Sequence, residues 1–447
     1  MNNFRASGLI AGLLLCCSAS HAQHVSPYVP DSAITRGKHF IEMLSQGDTT
    51  GCISLFDSTM TAAVPAPKLK EIWSAVTEKA GGFKGQIGAR AAKYRIYDMV
   101  LVTCLFEKDT LDARVALNPK GQVAGLFFAK AKPAVDYKAP AYARPAMFRE
   151  EEVIVGEGRW ALHGTLTIPI GSKPHPAIVL VHGSGPNDRD ETIGPNKPFR
   201  DLAWGLASKG VAVLRYEKRT REHALELAQI RKTITVKDET IDDALAAVNL
   251  LRVTNGIDTN RIYVLGHSLG GMLIPRIGVR DRRIAGFVVL AGATRPLEDV
   301  IVEQTAYILS LSGASLAMQK KQVAEVEEQR DKVKQLEPSD TSSTDTYFAA
   351  PASYWLDLRG YDPPKLARSL TMPLLILQGE RDYQVTMQDF ARWKSALRGR
   401  KNVVFKTYPK LNHLFIEGDG KSAPAEYELP GNVAGYVIND IVAWIKP

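Results

Sequence analysis

Residues 261–271 read RIYVLGHSLGG, and no other stretch of the chain limits its fold so tightly. A short apolar run, residues 262–265, leads straight into Gly266-His267-Ser268-Leu269-Gly270. A serine with glycines two positions away on either side, directly after a strand-like run, fits a tight strand-turn-helix elbow. The apex of such a turn holds a strained backbone conformation, and its flanks must be small enough to let it form. The serine hydroxyl is then carried clear of the sheet edge. The N-terminus of the following helix turns backbone N–H groups toward any negative charge that develops there. A hydroxyl is a weak nucleophile, and this geometry makes one useful.

The rest of the chain has room for more than this unit. Its 447 residues suit two or three domains, with 45% hydrophobic and 23% charged residues, as in a globular protein. The formal charge of +8 comes from 56 basic and 48 acidic residues without a long basic block. That pattern fits a solvated surface better than a nucleic-acid site. The first 22 residues read as an export signal. Arg5 lies in a short polar start, and residues 8–17 are apolar but too short to span a bilayer. Ser20-His21-Ala22 then places small residues at the cleavage-defining positions, so cleavage is expected after Ala22 and a secreted or periplasmic product follows. A disordered or membrane-anchored N-terminus is the alternative. No later segment is apolar enough to span a membrane. Cys16 and Cys17 leave with the signal, while Cys52 and Cys104 remain. An oxidising compartment would let them pair, and the sequence leaves open whether they lie close enough.

Periodicity divides the mature chain. Residues 34–47 and 69–80 have helical spacing, the second stopped by Gly81-Gly82. Short strand-like runs follow at 92–99, 100–106, 113–117 and 123–128, with a turn signal at Asn118-Pro119-Lys120-Gly121. Residues 23–130 therefore read as a small α+β domain. Residues 131–149, rich in Pro, Ala and Tyr at their start, read as a linker. From residue 150 a different pattern begins. A hairpin at 152–170 precedes apolar runs at 177–181, 211–216, 262–265, 285–290, 374–378 and 403–408. Helical segments at 198–209, 236–254 and 269–279 separate several of them, which implies a parallel sheet covered on both faces. Residues 296–364 break the alternation with helices at 297–312 and 315–336 and a polar loop at 338–345. This insertion reads as a cap over the site; a surface helical hairpin is the alternative.

A serine nucleophile needs a base, and the base needs an orienting acid. In sheets with this elbow the chain order is serine, acid, histidine. Of nine histidines, His413 alone follows Ser268, just past the last apolar run. The acid should follow a strand between them. Asp382 sits in Gly379-Glu380-Arg381-Asp382 directly after residues 374–378; Glu380 and Asp389 are its rivals. Two N–H donors are needed for the oxyanion. Leu269, at the helix start, offers one. Ser184, in His182-Gly183-Ser184-Gly185 after the run 177–181, offers the other, with Gly185 second. His182 reads as a brace for that loop and His267 as packing beneath the elbow.

Competing motifs fail by residue. A dinucleotide fingerprint opening at Gly183 would need glycine where Asp188 stands, and a phosphate loop ending at Gly420-Lys421-Ser422 would need glycine in place of Phe415. No His/Cys/Asp cluster has metal-ligand spacing, so neither metal nor cofactor is expected.

These motifs together resemble the α/β-hydrolase superfamily over residues 150–447. The string HGSGPNDRDETIGPNKPFRDLAWGLASKGVAVLRYEKRT, residues 182–220, is similar to a bacterial serine esterase branch described as dienelactone-hydrolase-like or acyl-aminoacyl-peptidase-like. Phe56-Asp57-Ser58 and residues 69–83 resemble a small domain of unknown function often fused before such esterases. The resemblance implies an α/β-hydrolase sheet with a helical cap, and carboxylesterase activity on a small ester through Ser268, Asp382 and His413. A peptidase or amidase on the same triad, and an inert binding protein of hydrolase fold, are the alternatives. The charged residues in 187–191 and 215–221 fit the same branch and read as buried ion pairs that shape the pocket floor.

Overall fold

The computed structural model describes residues 31–94, 97–131, 137–171 and 174–446, so the expected export signal lies outside the described residues. The chain divides into two compact units, with the division between residues 135 and 136.

The first unit begins with helices α1 (Asp31–Ser45), α2 (Thr49–Ser54), α3 (Ser58–Ala63) and α4 (Ala66–Ala80). An antiparallel meander follows: β1 (Phe83–Tyr94), β2 (Tyr97–Phe106), β3 (Thr110–Leu117) and β4 (Val123–Lys130), paired in chain order. Phe40, Ile41 and Leu44 of α1 are buried in one core with Val100, Val102 and Val115 of the sheet. The short helices α2 and α3 have too few turns to show a period. They start where Asp48 and Asp57 accept hydrogen bonds from the Gly51 and Met60 N–H groups. The turn at Asn118 forms as its sequence suggests: the Asn118 side chain accepts from Lys120 and Gln122 N–H, and Gly121 takes φ +75°. The boundary expected at residue 99 does not exist, because β2 runs through it. Val100, Leu101 and Val102 are consecutive and all buried, so alternation is lost there. Cys52 and Cys104 are free and buried, and no disulfide joins them. Their thiols face the carbonyls of Phe40 and Val102, and burial pushes both up to about 12.

The second unit is built on a mixed eight-stranded sheet. Its strands are β5 (Phe148–Val155), β6 (Leu162–Pro169), β7 (His175–Val181), β8 (Ala212–Tyr216), β9 (Ile257–His267) and β10 (Gly286–Leu290). A small hairpin, β11 (Thr346–Tyr347) and β12 (Ala350–Pro351), precedes the last two, β13 (Leu374–Gly379) and β14 (Val403–Tyr408). The sheet order is β14-β13-β10-β9-β7-β8-β6-β5. The pairs from β14 to β8 are parallel, and β6 is antiparallel to both β8 and β5. Every residue of β8, β10 and β13 is buried. Successive side chains point to opposite faces, so both faces are covered.

The principal helices of this unit are α5 (Pro198–Ala207), α6 (Asp242–Val253), α7 (Leu269–Arg280), α8 (Leu297–Leu311), α9 (Leu316–Gln335), α10 (Ala352–Leu358), α11 (Met387–Ala396) and α12 (Gly435–Ile445). Helices α8, α9 and α10 form the insertion between β10 and β13. The stretch read as a linker is docked from Tyr137 onward. Tyr137 Oη donates to Asp201 at 2.7 Å, Tyr142 Oη to the Val433 carbonyl at 2.7 Å, and the Arg144 N–H to Ser208 Oγ at 2.8 Å.

Candidate active site

The elbow forms where β9 runs into α7. Ser268 sits between them at φ +53°, ψ −115°, a region that a residue with a side chain rarely occupies. Its own N–H is held by the Leu290 carbonyl at 2.9 Å, which ties the apex to neighbouring β10. The flanking glycines are required by space. A Cβ on Gly266 would strike the Gly270 backbone, and one on Gly270 would strike the Val181 carbonyl oxygen. The two arms of the elbow and the end of β7 therefore touch backbone to backbone.

The other sites expected from the sequence come from the ends of further strands. Asp382 follows β13, and His413 follows β14. His413 Nδ1 lies 2.7 Å from Asp382 Oδ2, and both residues are buried. Asp382 is held on every side: Gln378 Nε2 donates to Oδ2 at 3.1 Å, while the Gln384 and Val385 N–H groups donate to Oδ1 at 2.8 and 3.0 Å. A carboxylate so placed accepts, so His413 Nδ1 donates to it and Nε2 is the ring nitrogen turned away from Asp382. The rivals lie elsewhere. Glu380 is exposed, and Asp389 is on α11, bonded to Thr294 and Arg295.

Ser268, His413, Ser184 and Leu269 line one cavity of about 60 Å³. Leu297, Val300 and Ile301 of α8 form its apolar wall, so the insertion borders the site. Among the described residues, neither the Ser184 nor the Leu269 backbone N–H donates to a protein acceptor. Both residues thus bring an N–H without a protein acceptor to the cavity lining, the kind of donor an oxyanion requires.

A clamp lies beneath the elbow. His267 Nδ1 is 2.9 Å from Glu191 Oε2, and its Nε2 is 2.9 Å from the His413 carbonyl oxygen. Both partners only accept, so both ring nitrogens donate and the ring is an imidazolium. Burial works to lower the His267 pKa, but the Glu191 charge and hydrogen bond outweigh it and the net shift is upward. Burial likewise works to raise Glu191, and His267 holds it below the ordinary carboxylate range. Glu191 Oε1 accepts the Gly183 N–H at 2.6 Å, so one carboxylate joins the loop after β7 to the histidine beside Ser268. His182 does brace that loop: its Nε2 meets the Asp188 carbonyl at 3.0 Å, and burial pushes it down to about 4.

Around this clamp the charged residues pair in a lattice that is buried at Arg215, Asp190, Arg219 and Asp243 and reaches the surface at Glu152. Arg215 binds Asp190 and Glu150, Arg219 binds Asp243, and Arg189 spans Glu152 and Glu217 at 2.6 and 2.9 Å. Glu191, Gln378 and Lys218 have no motif of their own. The φ of +50° at Glu191 is likewise invisible in the sequence.

Residues 172–419 match the family described as "Serine aminopeptidase, S33", and residues 38–126 match "Protein of unknown function (DUF3887)". The chain is 40% identical to Esterase EstD of Thermotoga maritima over 409 residues, covering 91% of this chain and 93% of that one. Among solved structures it is similar to Est1E from Butyrivibrio proteoclasticus, with 16% identity, TM-score 0.42, and 66% and 97% of the two chains covered. It is also similar to an acylaminoacyl peptidase of Pyrococcus horikoshii, with 14% identity, TM-score 0.43, and 74% and 53% covered. With an elbow, a buried acid-histidine pair and a family match across more than half its length, the chain belongs to the serine hydrolases of the "Serine aminopeptidase, S33" family, on an α/β-hydrolase sheet.

Proposed function

We propose that this protein is a serine carboxylesterase and that Ser268, His413 and Asp382 form its catalytic triad. The observation that carries the reading is the buried His413–Asp382 bond of 2.7 Å, made by a histidine that shares a cavity with the strained Ser268. Ser268 Oγ attacks the ester carbonyl, and His413 Nε2 takes its proton. Asp382 keeps the ring oriented and stabilises the imidazolium that forms. The Leu269 and Ser184 N–H groups bind the tetrahedral oxyanion. The intermediate collapses with loss of the alcohol, to which His413 returns the proton. Water, activated by the same ring, then releases the acid. The 40% identical relative is named an esterase, which agrees with this chemistry.

The family description raises an aminopeptidase reading, and the cavity argues against it. Such an enzyme needs a carboxylate free to hold the substrate's terminal ammonium group. Among the described lining residues the one carboxylate is Glu191, and its two oxygens are already engaged by Gly183 and His267. Ser268→Ala is expected to lower kcat for a nitrophenyl ester on the order of a million-fold, the scale of triad loss. Near-normal hydrolysis by that variant would overturn the assignment. Faster turnover of aminoacyl amides than of esters by the unaltered protein would favour the peptidase.

Export is part of the proposal. Arg5, the apolar residues 8–17 and the small residues at Ser20 and Ala22 support secretion to the periplasm or beyond. The mature chain is expected to begin at Gln23; N-terminal sequencing that finds Met1 retained would refute it.

A further inference from the structure

The loop after β7 is held from two directions, and one of them has no role in the triad chemistry. Gly183 and Ser184 share one peptide unit, with the Gly183 carbonyl oxygen at one end and the Ser184 N–H at the other. Among the described residues no peptide is cis, so these two groups point in opposite directions from one rigid plane. Whatever fixes the carbonyl also aims the N–H.

The carbonyl is fixed by a charge. Lys218 Nζ donates to the Gly183 oxygen at 2.7 Å, and Asn187 Nδ2 reaches the same atom at 3.2 Å. Lys218 is 2% exposed, and its ammonium also meets Glu239 Oε1 at 2.8 Å. It comes from the loop that follows β8. Because β7 and β8 are parallel neighbours, the loops after them emerge at the same end of the sheet. Glu239 comes from a single wide turn, Lys237–Ile241, that precedes α6.

A buried Lys–Glu pair is a poor way to gain stability, since desolvating two ions offsets most of their attraction. The position of this pair points to another use. A cation on a carbonyl oxygen draws electron density along the peptide and makes its N–H a stronger donor. Ser184 lines the cavity where the oxyanion would form.

We propose that Lys218 is a positioning residue for ester hydrolysis: its ammonium group holds and polarises the Gly183–Ser184 peptide so that the Ser184 N–H meets the oxyanion. This rests on the esterase reading above. The full negative charge exists in the tetrahedral state and not in the bound ester, so the benefit falls on kcat rather than on KM.

The test compares two full-length variants. Glu239→Gln, which keeps the lysine, is the background, and Lys218→Met is added to it so that no unpaired charge is buried. With a nitrophenyl ester, the double variant is expected to show a kcat on the order of 10- to 100-fold below the background, with KM little changed. Affinity for an aryl trifluoromethyl ketone, which binds serine hydrolases as an anionic tetrahedral adduct, should fall by a comparable factor. If the double variant does not fold, Lys218→Gln with Glu239→Gln, whose amides can bond each other, replaces it. A kcat within twofold of the background, or a lower kcat with unchanged ketone affinity, overturns the proposal. Ser268→Ala, run alongside, separates the two failures: an inactive Ser268→Ala with an unimpaired lysine variant sinks the Lys218 role alone, whereas an active Ser268→Ala sinks the esterase reading.

Discussion

Ser268 occupies its strained conformation because the residues around it have no alternative packing. The Gly270 Cα lies against the carbonyls of Val181 and His182 at the end of β7, with no space for a methyl group. Gly270→Ala must therefore move backbone against backbone. It is expected to cost about 3 kcal/mol or more of stability, and a lowered unfolding midpoint would show it. An unchanged midpoint would mean that the elbow can slide on β7. At this scale the candidate site was legible where a residue type is rare or ordered along the chain. One histidine follows the elbow, and one Asp sits at the expected distance past a strand. Glu191 and Lys218 were not legible as individuals. They stand in runs of ordinary charged residues, and their burial to 2% comes from partners 76 and 21 positions away, His267 and Glu239.

Elements with several turns or a continuous apolar run announced themselves, and short or docked ones did not. Helices α7, α8 and α9 fall within a residue or two of their spacing, whereas α2 and α3 are each six residues long and show no period. The segment at 236–254 looks like one helix but opens with the wide turn that carries Glu239 to Lys218. The supposed linker illustrates the same limit, because Pro, Ala and Tyr are equally common in loops that pack. Its dock is testable by pH. Asp201, which accepts from Tyr137 Oη, the Val433 N–H and Asn432 Nδ2, is pushed up to about 7, chiefly by burial. Between its ordinary 3.8 and about 7, the folded chain keeps a proton that the unfolded chain has released. Asp201 therefore contributes stability that is complete below 3.8 and lost as the pH rises through about 7. The expected slope is on the order of 1 kcal/mol per pH unit in denaturant titrations, and Asp201→Asn should flatten it. An equal slope in both proteins would show that other groups set it.

Across the whole molecule, two units have separate cores, and every residue lining the candidate cavity belongs to the second. The change of pattern near residue 150 reads as the start of the second domain, and the residues docked on the second unit begin at Tyr137. The difference arises because hydrophobic period records regular elements, while an irregular segment joins a unit through a few specific hydrogen bonds. The free Cys52 and Cys104 make the same point: compartment and count permit a disulfide, and only the folded chain decides that the Cys52 thiol faces the Phe40 carbonyl of α1 and the Cys104 thiol the Val102 carbonyl of its own strand. By itself the sequence determined the hydrolase sheet, its elbow and the order of serine, acid and histidine, because each is written in local spacing along one chain. The tertiary structure alone decided the buried Glu191–His267 clamp, the α8 wall and the lysine behind the loop after β7. Those depend on contacts between distant segments, and the burial that gives their charges meaning exists only once the sheet has formed.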